Sequence, residues 1–297
     1  MRDTKTDYRK SSDTQSKNKV FATQLRTSAR AAAKELFASG DLRQYLKLLP
    51  HMHHYDAYNI MLILQQFPRA TCLAGYNTWK RYLPSNKRLV LKPEWQGKGI
   101  DLVIPFTDII SYHEQRLIWY AVKQFDITQT NAEYSPTPTV YVSDEIHMRF
   151  LLESSCSILE THYDCRVHHS ACDSALKASG LIGRFEDKQV SLRGDASLTS
   201  QLQWLVDCLS ALHGEAEKLP PACRGLHHRC VLYALWNTWA LDRPPSLYGY
   251  RKAIQSISDE IQIPLLESIR NTFRALEGYF TSAYACCRAR KETEDSL

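Results

Sequence analysis

Between Tyr76 and Lys98 six cations, Lys80, Arg81, Lys87, Arg88, Lys92 and Lys98, alternate with the rings of Tyr76, Trp79, Tyr82 and Trp95, and Glu94 is the single acid among them. Cations at that density can track phosphates, and rings set between them can stack unpaired bases, each worth about 1–3 kcal/mol with little regard for sequence. That chemistry is recognition, in which no bond is made or broken. The other reading of the same residues puts Tyr76 and Trp79 in the core beside the Gly75 turn and leaves the lysines as a solvated face.

Four other groupings could carry chemistry. Cys165, His168, His169 and Cys172, and likewise Cys223, His227, His228 and Cys230, bring thiols and imidazoles together at short spacing, as a mixed zinc site would, but neither has a finger-like spacing. Cys230 falls in an apolar helical run, where a lone cysteine is a small buried hydrophobe. Cys208 and His213 lie five apart, so on one helix they point in different directions and make a poor nucleophile and base. His51, His53 and His54 read as a solvated loop or an added phosphate contact.

The elements that must hold these residues follow from periodicity. Residues 1–19 are polar and basic and read as a mobile arm. Helices are expected over Val20–Ala38, Leu42–Leu49, where Pro50 would stop the chain, and Tyr55–Phe67. Short alternating or apolar runs at 88–91, 99–104 and 117–127 read as strands of a small sheet. The proline-bearing segment 131–139 reads as a linker. Beyond it come a strand at 139–142, a helix over 144–159 and a strand pair near 163–168 and 189–193. Three further helices then carry Leu202–Leu212, Val231–Trp236 and Leu265–Phe280.

The length of 297 residues suits two domains, and 44% hydrophobic with 23% charged residues is a globular composition. No long apolar run suggests a membrane span, and the N-terminus has no apolar core of a signal peptide. Nine cysteines, an odd number, fit free thiols in a reducing cytoplasm. The net charge of +5 matters only because the cations cluster.

The run Tyr55-Asp-Ala-Tyr-Asn59 through Leu62-Ile63, Gln66, Pro68, Ala70-Thr71, Gly75-Tyr76 and Trp79 resembles the signature of the ArdC/LtrC-like N-terminal domain of plasmid and conjugative-element proteins. The resemblance continues through Lys98-Gly99-Ile100 and Asp126-Ile-Thr-Gln-Thr130. It implies single-stranded DNA binding, with Asn59 and Gln66 joining Tyr76, Trp79, Lys80, Arg81, Lys87, Arg88, Lys92 and Lys98 as contacts. One departure is a longer segment after Trp79, an insertion in the basic loop that bears on affinity and site size.

In that family a zincin-like peptidase domain often follows, its zinc held by H-E-x-x-H and a later glutamate. The equivalent positions here are Asp207, Cys208, Ala211 and Arg229, so the ligands and the base are replaced, and an arginine would repel a cation. The expected protein is therefore α+β: N-terminal helices with a small mixed sheet, then a mostly helical, degenerate zincin-like domain over 140–297. Its expected role is non-catalytic, binding single-stranded DNA, with RNA as the alternative, to protect or escort transferred DNA of a mobile element, with no metal or cofactor. A protein partner for the second domain is the further expectation. The rivals are an interaction module built on that domain and an active metallopeptidase with an unrecognised metal site.

Overall fold

The computed structural model describes residues 4–81, 83, 88–111, 114–131, 145–170, 174–241 and 244–294. The chain divides into two compact units, residues 1–138 with 257–263, and residues 139–256 with 264–297.

The first unit opens with α1 (Thr4–Ser39). Its buried stripe is Ala22, Leu25, Ala29, Ala33 and Phe37, spaced at three and four residues, and the alanines let the backbone come close to what it covers. Gly40, at φ 69°, ends it in a conformation that costs a side-chain-bearing residue. The helix reaches back to Thr4, so the segment read as a mobile arm is helical over most of its length. Propagation from an already packed helix needs no new nucleus and no apolar residues. After α2 (Arg43–Met52), α3 (Ala57–Gln66) starts at Asp56, whose carboxylate accepts from the Asn59 amide at 2.8 Å. Pro50 lies inside α2 and does not end it: His53 N–H still reaches the Leu49 carbonyl at 2.9 Å.

Then follow β1 (Leu73–Ala74), α4 (Tyr76–Lys80), β2 (Ile100–Ser111) and β3 (Glu114–Asp126). The sheet order is β1-β3-β2, antiparallel throughout, with Ile100 opposite Gln124 and Pro105 opposite Trp119. The run at 88–91 contributes an isolated bridge, Leu91 to Thr130, in place of the expected strand. Gly99 sits against β3: a Cβ there would collide with the Lys123 side chain and lie 2.9 Å from the Gln124 carbonyl.

The second unit contains α5 (Glu145–Tyr163), β4 (Arg166–Ser170), α6 (Ser174–Ser179), β5 (Gly183–Glu186), β6 (Gln189–Arg193), α7 (Leu198–Leu212), α8 (Pro221–Thr238) and α9 (Arg251–Gln255). α10 (Asp259–Glu294) belongs to it from Pro264 onward. Its sheet is the mixed one, ordered β4-β6-β5, with β4 parallel and β5 antiparallel to β6. Leu202, Leu205, Val206 and Leu209 of α7 are fully buried, as are Leu265, Ile269, Phe273 and Leu276 of α10. The protein is thus α+β and mostly helical, with two small sheets. The strand expected at 139–142 and the linker 132–139 lie outside the described residues.

Candidate nucleic-acid interface

The signature from Tyr55 to Trp79 is a hydrogen-bonding framework. Asn59 on α3 is buried, and its amide closes a two-way pair with Val103 on β2: Nδ2 donates to the Val103 carbonyl at 2.7 Å and Oδ1 accepts from the Val103 N–H at 2.8 Å. Two turns later Gln66 repeats the pair with Asp101, at 2.9 Å in both directions. Residues seven apart on a helix share a face, and residues two apart on a strand share an edge, so the two amides act as a surrogate strand along β2. The Tyr55 hydroxyl lies 2.5 Å from Gln124 Oε1 and 3.2 Å from the Leu73 carbonyl, and burial raises its pKa to about 12. Trp79 is 1% exposed and donates from its indole to the Phe125 carbonyl at 2.7 Å, packed with Leu89, Phe125 and Ile127.

Asp126, fully buried, gathers the rest. One carboxylate oxygen accepts from the Thr71 and Cys72 amides at 2.7 and 2.9 Å, and the other from the Thr128 amide and hydroxyl at 2.9 and 2.6 Å. Gln129 returns the favour to the Asp126 N–H, completing a capping box around the short 3-10 turn Ile127–Gln129. The polar side-chain atoms of Asn59, Gln66 and Trp79, expected as strand contacts, hold backbone here; Asn59 and Trp79 are buried, where a polar group without such a partner would be costly, while Gln66 is exposed.

The remaining described residues of the expected set are exposed. Tyr76 starts α4, is 45% exposed, and is fixed by its hydroxyl donating to the Leu89 carbonyl at 2.9 Å. Lys80, one turn on, shares its face and is exposed, as is Arg81. Residues 88–92 are held by the Asn131 amide to the Val90 carbonyl at 3.1 Å and by the Lys92 amide to the Gln129 carbonyl at 3.0 Å. Their alternation buries Leu89, whose carbonyl the Tyr76 hydroxyl reaches, and leaves Arg88, Val90 and Lys92 exposed. Trp95 is half-buried, edge-on to Phe67 at 5.2 Å, and Lys98 is exposed ahead of β2. Lys87 and Tyr82 lie outside the described residues.

No family model matches the sequence, and no curated protein does. The crystal structure of the antirestriction protein ArdC from the R388 plasmid, in its Mn(II)-bound form, is similar over 82% of this chain and 98% of that one, at 10% identity and a TM-score of 0.41. A likeness that distant assigns no residue and no activity here.

In the second unit, α7 and α8 pack together and bring Asp207 and Arg229 within electrostatic reach. Burial raises the Asp207 carboxyl to about 6, with Arg229 pulling it down. Burial also pushes the Cys208 thiol up to about 12, the reverse of an activated nucleophile, and Ala211 is exposed and offers no donor. One carboxylate facing a guanidinium does not fit Zn²⁺. On α8, His228 Nδ1 is 2.9 Å from the Ser210 hydroxyl and His227 Nε2 is 3.3 Å from that of Thr272. Among the described residues no three His, Cys, Asp or Glu side chains form a metal-holding group, and the described cysteines are free thiols. Cys172 lies outside them. No helix among the described residues is long and apolar enough to cross a membrane.

Proposed function

We propose that this chain is a non-catalytic single-stranded DNA-binding protein that shields and escorts transferred DNA of a mobile element, as antirestriction proteins do. The observation that supports the reading is that Tyr76, Lys80, Arg88 and Lys92 are all exposed, with Tyr76 tied by its hydroxyl to the Leu89 carbonyl next to Arg88 and followed on α4 by the buried Trp79 anchored to Phe125. A ring pinned by its hydroxyl and flanked by cations can stack a base while the cations meet the flanking phosphates, and its rigidity lowers the entropy lost on binding. The second unit, on this reading, keeps a peptidase-like scaffold without its chemistry and serves a protein partner.

Fluorescence anisotropy with a labelled single-stranded oligonucleotide tests this. Binding should be saturable, with log K falling against log salt by about 0.7 per phosphate contacted. Changing Lys80, Arg81, Arg88 and Lys92 together to Glu should weaken it by roughly 100-fold or more at low salt. Unaltered affinity in that variant would remove the surface from the reading. Absence of any salt-sensitive binding would favour an interaction module, and an RNA strand of the same length decides the sugar preference.

A further inference from the structure

A second cationic surface lies on α1. From Lys17 to Lys34 this helix carries Lys17, Lys19, Arg26, Arg30 and Lys34 and no acidic residue. Lys19, Arg26 and Arg30, spaced by seven and four, fall on one helical face over about 16 Å. Arg26 is the unusual member. Its guanidinium carbon lies 4.1 Å from the ring centroid of Tyr58 on α3 and 4.2 Å from that of Trp119 on β3, so the plane is clamped between two rings. Its Nη1 is buried and has no hydrogen-bond partner. Beside it Arg30 donates from Nε and Nη2 to the Tyr58 hydroxyl at 3.3 and 3.2 Å.

A guanidinium in that position is held by ring electrostatics, which fix its plane but supply no acceptor to its N–H groups. The clamp is itself immobilised. Asn18 on α1 pairs in both directions with Ala121 of β3, at 2.8 and 3.1 Å, and Ser28 donates to Gln65 of α3 at 2.9 Å. Nη1 itself is sealed from solvent, but Arg26 as a whole is only part-buried, and the planar edge it still presents matches a tetrahedral oxyanion in geometry as well as charge. Trp119 and Phe125, six residues apart on β3, leave the same face about 20 Å from one another. Phe125 packs in the core against Trp79, the residue before Lys80, so β3 spans the distance between the two sets of cations.

We infer that Arg26, clamped between Tyr58 and Trp119 and flanked by Lys19 and Arg30, is a preformed receptor for backbone phosphate, and that a strand lying on the Tyr76 cluster continues onto α1. The inference rests on the chain's being a nucleic-acid binder, though not on the Tyr76 cluster being its first contact. It makes the occluded length greater than that cluster alone can cover.

The test uses the full chain and labelled oligothymidylates of about 6 and about 16 nucleotides, within the usual range of single-strand site sizes. Arg26→Lys keeps the charge between the rings but removes the planar fork, and Arg30→Gln removes an exposed cation with little effect on the core. Both should weaken the longer oligonucleotide and leave the shorter near parental, and Arg30→Gln should lower the salt slope for the longer by about 0.7. Parental affinity of both variants for the longer strand would overturn the receptor. So would an equal loss at both lengths accompanied by a lower melting temperature, which would make Arg26 a structural clamp. Displacement of the strand by polyglutamate as readily as by unlabelled oligonucleotide would also overturn it, in favour of an acidic protein ligand. If Glu at Lys80 and Arg88 spares binding while Arg26→Lys still weakens the longer strand, the Tyr76 surface fails and the receptor stands; if no oligonucleotide binds, both fail.

Discussion

Asn59 and Asp126 show how single polar residues can be fixed by type yet face inward. The amide is the one short side chain that offers a donor and an acceptor in the spacing of a peptide group, so it can pair with both polar atoms of one strand residue. Asn59→Ala should leave the Val103 N–H and carbonyl buried and unpaired, at about 2–4 kcal/mol in denaturant unfolding. Oligonucleotide affinity measured on the folded variant should not change; a loss of affinity at parental stability would return Asn59 to the interface. At Asp126 a neutral isostere is no substitute, because both oxygens accept. Asp126→Asn would turn an NH₂ group toward backbone N–H donors and should destabilise the first unit by about 2–4 kcal/mol.

At the level of elements, α7 and α8 set two titrations against each other. The Asp207 carboxyl stands at about 6 in the fold against an ordinary 3.8, so the native state holds its proton more tightly, and the contribution to stability is lost as pH rises from about 4 to about 6. Burial lowers His227 to about 4 from an ordinary 6.5. There the unfolded chain holds the proton more tightly, and the contribution is lost as pH falls from about 6.5 to about 4. Through the shared window the two oppose one another. Asp207→Asn should therefore steepen the rise of stability between pH 4 and 6, and gain on the order of 1–2 kcal/mol over the parent on going from pH 4 to above pH 7. Parallel pH profiles for variant and parent would show that Asp207 does not titrate in that range. The same pair of helices explains why Arg229 is tolerated beside the core, since its charge is answered by the carboxylate across the helix pair.

For the molecule as a whole the expected signature is recognition without metal. Exhaustive chelation should leave strand affinity and the unfolding profile unchanged, and elemental analysis should find zinc well below one equivalent; a stoichiometric ion with chelator-sensitive proteolysis would establish the hydrolase instead. Much of this protein was legible in its residues. Apolar spacing located the buried faces of α7 and α10, because burial against anything selects the same period, and the cations Lys80, Arg81, Arg88, Lys92 and Lys98 are exposed as their density suggested. The expected stop at Pro50 went astray because a helix once packed propagates through sequence that could not start one. The run from Tyr55 to Trp79 could be recognised from sequence, but side-chain direction could not: whether an amide or an indole meets a ligand or a carbonyl depends on which strand lies opposite. Only the fold brought Asn59 to Val103 and Trp79 to Phe125, while leaving Tyr76 outside. It alone brought together Arg26, Tyr58 and Trp119, from three elements distant in sequence, since a clamp of that kind has no local period for a sequence to display.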